Sequence, residues 1–487
     1  MAKIIVSRKQ CQIIEEDDLD FLSDLRRELS FFVQGAERTA KYRGYIDKNG
    51  KQVTWDGNKY LIDNQLKFSP GLLNRVKRFY DLNQKSVDVV DIRPSPEPTS
   101  PVDVLSALAG QGKVPYEYQL QAANTALESG RGIIRIPTGG GKTLIAALIT
   151  AKLGKSTMIY VIGKDLLYQI HGLFSSLFEE EIGIIGDGKC NIANINVATI
   201  WTVGQALGLK KSKIEDEGEE KSIRPEKYKE IRNVLGNTRA HIFDECHLAA
   251  CDTIQEICKR MNAENIYGMS ASPWRDDGAD LLIENFLGNI IVDIPARQLI
   301  EQGFLVPPLI KFLAVPKENV KGKYKTVYKH YITENNVRNQ MIVRGAQKLV
   351  EQGFQTLVLF QSLKHGKILY DEISQKMPCA ILSGKDDNNK RQQVKDDLEA
   401  GKISCVIASK IFDIGVDLPS LSGLIIASGG KSSVRALQRI GRVIRKHPTK
   451  SHAAVIDFAD QAPYLLNHSY NRKKIYEEEF VVQWPGT

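Results

Sequence analysis

Ten short apolar runs, most of them rich in β-branched residues, recur along the 487-residue chain with room for a helix between neighbours. The first five are residues 132–136, 157–162, 195–199, 240–243 and 266–270, and the second five are 356–360, 380–383, 405–409, 423–427 and 453–458. Their apolar character is continuous rather than alternating. A strand of that kind must be buried on both faces, as in a parallel sheet covered by helices. The two groups part near residue 300, so the pattern predicts an α/β fold with two tandem units.

The chain before these runs reads differently. Residues 19–32 and 70–80 have helical character, and Asp47-Lys48-Asn49-Gly50 between aromatic-rich stretches reads as a hairpin turn. A small α+β domain is expected over residues 1–92. Residues 93–101 then carry four prolines in nine positions, which suits an extended linker and neither helix nor sheet. The two α/β units are expected over 102–296 and 297–487. Within the first, residues 210–232 carry eight bases against seven acids and read as a solvated insertion.

With 42% hydrophobic and 25% charged residues, the composition excludes a mostly disordered chain, a collagen-like chain and a membrane bundle. Net charge is +8, and its excess is local. From Arg38 to Arg78, ten bases face three acids, an excess of +7. Tyr42, Tyr45, Trp55, Tyr60, Phe68, Phe79 and Tyr80 interleave with them. Cations neutralise phosphates and exposed rings stack on bases, so this stretch is a candidate nucleic-acid surface, with Lys41 and Arg43 as its representatives. The same residues also suit a basic domain whose aromatics form its own core. The seven cysteines include no C-x-x-C pair, so no structural metal is expected, and Cys379 and Cys405 read as core. No apolar run approaches the ~20 residues of a membrane span. The expectation is a monomeric cytoplasmic protein, with no membrane partner.

Chemistry is densest at Ile136-Pro137-Thr138-Gly139-Gly140-Gly141-Lys142-Thr143, after an apolar strand and before the helical run 144–153. Strand, Gly-rich turn and helix together are the context of a phosphate loop. Glycines let successive N–H groups face phosphate oxygens, Lys142 would reach the β/γ-phosphates, and the Thr143 hydroxyl would ligate Mg²⁺. About a hundred residues on, Asp244-Glu245-Cys246-His247 follows a strand directly, where ligands bind in an open parallel sheet. Asp244 would sit in the Mg²⁺ shell, and Glu245 would orient and deprotonate the attacking water. In the second unit, Gln438-Arg439-Ile440-Gly441-Arg442-Val443-Ile444-Arg445 places Arg442 and Arg445 on one helical face, as arginine fingers require.

In this order the motifs resemble those of superfamily-2 helicases and translocases, over about residues 115–460. The resemblance implies two RecA-like domains, ATP and Mg²⁺ as cofactors, and a nucleic-acid track. It implies adenine reading by Tyr118 and Gln119, although the family often has Arg where Tyr116 stands. It implies a nucleotide role for Gly415 and Asp417 in Gly415-Val416-Asp417-Leu418-Pro419. Ser270-Ala271-Ser272-Pro273 resembles the motif that couples hydrolysis to movement, here with Ser272 in place of Thr, and His247 joins that group. Lys164, Thr199, Ser383 and Ser409 fall at positions that touch the nucleic-acid backbone. With the phosphate loop and acids on one unit and the arginines on the other, ATP would bind in a cleft and its hydrolysis would open it.

The small basic N-terminal domain, the Pro-rich linker and the two-lobed motor are together similar to the phage UvsW family of branch-migration helicases. Phe31 to Gly35, Lys41-Tyr42-Arg43 and Trp55-Asp56-Gly57 carry that similarity. It implies remodelling of branched DNA (fork regression, Holliday-junction branch migration, D-loop or R-loop unwinding) in recombination, repair and replication, in a host cytoplasm if phage-encoded. The partners implied are DNA and, in hybrids, RNA. An RNA helicase, an ATP-gated duplex clamp and the motor subunit of a restriction system remain open from the motifs alone.

Overall fold

The computed structural model describes residues 1–46, 50–209, 222–247, 252–273, 280–318, 320–384, 386–409, 418, 420–430 and 433–486. They divide into two units, Met1–Arg135 with Gly141–Asp293, and Ile136–Gly140 with Ile294–Thr487.

In the first unit the N-terminal segment is built on a mixed four-stranded sheet. Ala2–Val6 (β1) pairs antiparallel with Cys11–Ile14 (β2) and parallel with Val87–Asp91 (β4), and Lys67–Phe68 (β3) extends the far edge of β2. Alternate residues of β1 are buried, as in a sheet covered on one face. The cover comes from Leu19–Glu28 (α1) and Leu73–Leu82 (α2), through Phe21, Leu25, Val76 and Tyr80. The helical stretch expected over 19–32 is shorter than its apolar pattern suggested. It ends at Glu28, and Ser30–Phe32 pairs as a strand with Asn58–Tyr60. Adjacent aromatic side chains favour extended backbone when a partner strand is available. Tyr45–Ile46 pairs antiparallel with Gln52–Val53, while residues 47–49 of the expected hairpin turn lie outside the described residues.

The proline-rich segment forms neither helix nor strand, yet it is fastened along its length. The Val102 N–H donates to Ala151 O at 2.9 Å, and Arg239 Nε donates to Glu97 at 2.7 Å. Buried Glu264 accepts from Arg8 at 2.8 Å, from Lys155 at 2.6 Å and from the Glu97 N–H at 3.3 Å. Arg75 donates to Glu284 at 2.7 Å, and Asn74 to Asn289 at 2.7 Å. Burial opposes the Glu264 charge, but Lys155, the Glu97 N–H and Arg8 hold its carboxyl below the usual 4.5. Glu264→Gln leaves the nearly buried Lys155 and Arg8 without a counter-charge, and is expected to cost about 3 kcal/mol in urea unfolding. Because the folded value is lowered, the wild-type advantage should be full above pH 4.5, begin to decline there, and be lost as pH falls through the lower value of the folded state.

The first α/β sheet has eight strands: Arg131–Arg135 (β5), Thr157–Val161 (β6), Ile182–Gly186 (β7), Lys189–Asn191 (β8), Ile195–Thr199 (β9), Ala240–Asp244 (β10), Asn265–Ser270 (β11) and Ile290–Asp293 (β12). Their order is β8-β7-β9-β6-β10-β11-β5-β12, parallel except for the β7–β8 pair. Every residue of β6, β7 and β9 is buried. Part of the stretch read as a solvated insertion belongs to this core. Tyr228–Asn237 is a helix, and Ile223, Ile231 and Leu235 pack with Phe243 and Ile257. The near balance of charge there averaged over one wet face and one apolar face. Residues 210–221 lie outside the described set.

The second unit carries a seven-stranded, wholly parallel sheet: Pro308–Val315 (β13), Thr356–Phe360 (β14), Cys379–Leu382 (β15), Cys405–Ser409 (β16), Gly423–Ile426 (β17), Ala453–Asp460 (β18) and Val482–Gln483 (β19). The order is β15-β16-β14-β17-β18-β13-β19. Asn336–Glu351 (α3), Ser433–Val443 (α4) and Leu465–Glu479 (α5) are among its helices. The fold is thus α/β, with two tandem RecA-like domains preceded by a small α+β domain. Among the described residues no helix is long and apolar enough to cross a membrane.

Candidate active site

The loop after β5 turns through two glycines with positive φ, Gly139 at 90° and Gly141 at 85°, a region that side chains with a Cβ rarely enter. The helix Lys142–Leu153 starts at once, so its free N–H groups and the positive end of its dipole face the loop. Lys142 is the first helical residue, and Thr143 follows in the same turn. Gln119 is buried, accepts from the Tyr116 N–H at 2.9 Å and lies over the loop, where a Cβ on Gly141 would come within 2.2 Å of its Nε2. Tyr118 is buried beneath Tyr116, the rings stacking at 5.8 Å.

Asp244 ends β10 and Glu245 follows in a left-handed conformation, φ 51°. That sparsely populated backbone, worth about 1–3 kcal/mol of strain, is typical of positions held for function. It aims Glu245 at the loop. Lys142 Nζ donates to Glu245 Oε1 at 2.8 Å across 103 residues of chain. His247 Nδ1 stands 3.3 Å from Glu245 Oε2 and 3.3 Å from Ser270 Oγ, and Ser270 Oγ accepts the Ser272 N–H at 3.2 Å. A continuous polar line therefore joins the phosphate-loop lysine to the Ser-Ala-Ser-Pro segment.

Electrostatics follow from burial and pairing. Burial opposes the Lys142 charge, but Glu245 and Asp244 beside it raise its pKa. Burial opposes the Glu245 charge too, and Lys142 and His247 overcome it and lower that pKa. Asp244 shifts the other way, because burial outweighs the pull of Lys142. Asp244 Oδ1 is buried and accepts no hydrogen bond from a described residue. A buried carboxylate oxygen with spare acceptor capacity, beside the lysine of a phosphate loop, fits a hard divalent cation such as Mg²⁺.

In the second unit, α4 carries Gln438, Arg439 and Arg442, and Arg445 lies just beyond its end. Residues Ile136–Gly140 group with this unit and lie close to that segment. A Cβ on Gly139 would come within 2.9 Å of Arg445 Cγ, and one on Gly441 within 2.5 Å of Thr138 Cβ. Arg439 is buried and donates to Ser428 at 3.1 Å, which gives it a packing role.

The expected nucleic-acid positions fall into different environments. Lys164 opens the helix Lys164–Leu177 and is half-buried. Thr199 is fully buried and its hydroxyl caps the next helix by accepting the Thr202 N–H at 3.3 Å, so that side chain serves the fold and is out of reach of a strand. Ser383 donates to Asp386 at 3.0 Å, and Ser409 Oγ is buried with no hydrogen-bond partner among the described residues. Gly415 and Asp417 lie outside the described residues.

The basic N-terminal stretch separates in the same way. Phe68 and Tyr80 are core, and Arg75 is held by Glu28 and Glu284. Lys41, Arg43, Tyr42, Tyr45 and Tyr60 are exposed. Phe32, which the aromatic pattern of the sequence did not single out, joins them, 47% exposed and edge-on to Tyr42 at 6.1 Å. Its strand pairing with Asn58–Tyr60 puts it there.

Residues 112–275 match the family described as Type III restriction enzyme, res subunit, and residues 334–447 match the helicase conserved C-terminal domain. A phosphate loop, a DECH segment and a C-terminal helicase domain in one chain define an ATP-dependent helicase of superfamily 2, and this chain is one. It is similar to the ATP-dependent DNA helicase uvsW of Enterobacteria phage T4, 28% identical over 476 residues, covering 87% of this chain and 89% of that protein. It is also similar to the DNA 3'-5' translocase XPB2 of Sulfurisphaera tokodaii, 24% identical, covering 72% of this chain and 83% of that one. In fold it resembles S. cerevisiae Dbp5 bound to RNA and ADP BeF3, with a TM-score of 0.53 at 14% identity in its L327V form, over 79% of this chain and 93% of that chain.

Proposed function

We propose that the chain uses ATP hydrolysis to remodel branched DNA: forks, four-way junctions, D-loops and, where one strand is RNA, R-loops. The polar line from Lys142 through Glu245, His247 and Ser270 to Ser272 carries this reading, because it links a phosphate-binding group to a segment that can report its state. Similarity to uvsW along most of both chains supports the branched substrate.

In this mechanism the N–H groups of Pro137-Thr138-Gly139-Gly140-Gly141 and the helix N-terminus hold the phosphates, apart from proline, which shapes the turn. Lys142 transfers from Glu245 to the β/γ-phosphate oxygens. Thr143 and Asp244 would hold Mg²⁺, which neutralises phosphate charge when bound. Glu245, released from Lys142, accepts a proton from the water that attacks the γ-phosphorus as the bond to ADP breaks. Arg442 and Arg445 neutralise the charge that develops, and the Gln438 amide donates a hydrogen bond beside them. His247 senses the Glu245 change and passes it to Ser270 and Ser272. Tyr118 and Gln119 contact adenine. Lys164, Ser383 and Ser409 grip the sugar-phosphate backbone without reading sequence. Lys41 and Arg43, flanked by Tyr42, Tyr45, Tyr60 and Phe32, form a second grip.

The test is an ATPase and strand-displacement panel with single strand, duplex, fork, four-way junction and RNA. Forks and junctions are expected to stimulate most, with displacement. Stimulation by RNA alone would refute the DNA reading, and ATP-dependent binding without displacement would make the chain a clamp. Lys41→Glu with Arg43→Glu is expected to weaken junction binding and lower its salt slope by about two, one for each lost phosphate contact.

A further inference from the structure

Parallel sheets are normally covered on both faces, and the second unit departs from this at one edge. One face of β13 is packed by α5, where Phe312 meets Tyr476 at 5.8 Å. On the opposite face Leu309 and Lys311 are exposed and Leu313 is half-buried. Together with α3 and the edge strand β19 this face forms an open cavity of about 520 Å³, floored by Leu313, Met341, Ala454 and Ile456. Its outer margin keeps apolar groups in water, with Leu309 61% and Val481 76% exposed. Gly345 lets α3 approach the sheet at the inner wall, where a Cβ would come within 3.2 Å of Ile456 Cδ1.

The rim is one-signed. Lys311, Arg344 and Lys348 line the cavity and no acidic residue does. All three are exposed, and none makes an ion pair with a described residue. Arg344 and Lys348 are one turn apart on α3, so they form a row along one wall. The lining runs from Met341 to Gln352, which on a helix is about 16 Å, or three turns. An apolar trough of that length, with an adaptable methionine and a cationic wall, is complementary to an elongated occupant with apolar residues on one side and carboxylates on the other. A nucleic-acid strand would use the cations but leave the apolar floor unsatisfied.

We propose that this groove docks an acidic amphipathic helical segment of a partner protein, its apolar face on Leu313, Met341 and Ile456 and its carboxylates on Lys311, Arg344 and Lys348. None of the residues lining it is assigned to ATP, so a partner bound there leaves the nucleotide chemistry its own.

The experiment uses the full chain and a fluorescein-labelled synthetic peptide of about three helical turns, with Leu at helical spacing and Glu elsewhere. A matched peptide with Lys for every Glu is the control. Fluorescence anisotropy at low salt is expected to show binding of the Glu peptide only. Arg344→Glu with Lys348→Glu should weaken it at least about tenfold and transfer preference to the Lys peptide, while the ATPase stays at wild-type level. Lys311→Glu, on the strand rather than the helix, should weaken the Glu peptide independently and guards against a folding defect in the double variant. Equal binding of both peptides, or unchanged binding to the reversed variants, overturns the proposal. So does loss of affinity of the reversed variants for a labelled oligonucleotide, which assigns the cations to nucleic acid. A dimer in sedimentation velocity that Leu309→Asp dissociates overturns it too, and assigns the groove to a second copy.

Discussion

Glu245→Gln is expected to leave ATP bound and to slow its hydrolysis by at least about 10²-fold, the scale of a lost general base. The substitution is isosteric, so the Gln carbonyl can still accept from Lys142 at the position of Oε1, now 2.8 Å away. What is lost is the proton acceptor, and with it the charge that His247 faces at 3.3 Å. Nucleotide affinity, read by anisotropy of a fluorescent ATP analogue, should change little, because the loop amides and Lys142 remain. Phosphate release should nearly stop. Lys142→Ala makes the informative contrast: it removes a phosphate ligand, so affinity and turnover should fall together. Hydrolysis at the wild-type rate in Glu245→Gln would move the base elsewhere and leave Glu245 as no more than the lysine's partner.

Arg472→Ala is expected to destabilise the second unit by about 3–5 kcal/mol, the usual result of orphaning a buried charge. Arg472 and Asp457 are both within 1% of complete burial. Arg472 donates to Asp457 from Nε at 2.9 Å and from Nη2 at 2.8 Å, and Nη1 reaches Gly430 O at 3.0 Å. Asp457 also accepts from Tyr476 Oη at 3.0 Å. Beside this pair, buried Arg338 donates to Asp460 at 2.8 Å and to Ala427 O at 2.8 Å. Truncation leaves Asp457 in an apolar interior with one donor fewer on each oxygen. Thermal unfolding should move down on the order of 10 °C for a domain of this size. Arg472→Met with Asp457→Leu removes both charges and should recover much of the loss, since the cost lies in the unpaired ion rather than in the absent bridge. No recovery in the double variant would mean that the hydrogen bonds to Gly430 and Tyr476 hold the unit together instead.

Much of the architecture was legible where burial is two-sided. The runs at 195–199, 356–360 and 405–409 coincide end to end with β9, β14 and β16, all fully buried. β7 escaped because glycines at 183 and 186 dilute its apolar signal. β13 escaped because it begins at proline and alternates, a consequence of its uncovered face. The helix expected to reach residue 32 stopped at Glu28, since the Phe31 and Phe32 backbone pairs with residues 58–60, information held elsewhere in the chain. The phosphate loop and the acids were legible because each is a local spacing on a strand end. That Glu245 would hold Lys142, and that His247 and Ser270 would extend the line, depends on β10 and β11 being neighbours in the sheet.

By itself, then, the sequence determined the class of chemistry and the two-fold repetition of a parallel α/β unit. Both rest on short-range patterns: glycines that free a backbone, a lysine at a helix start, carboxylates at a strand end, and runs of apolar residues too continuous for a wet face. Only the tertiary structure decided what each charge and ring is for. Arg75 and Lys41 stand in the same basic stretch, yet one is bound to Glu28 and Glu284 and the other faces solvent. Phe32 and Phe68 are equally aromatic, yet one lies on the surface and one in the core. Those outcomes turn on partners far away in the chain, and pairing energy or burial exists only once the fold has brought them within contact.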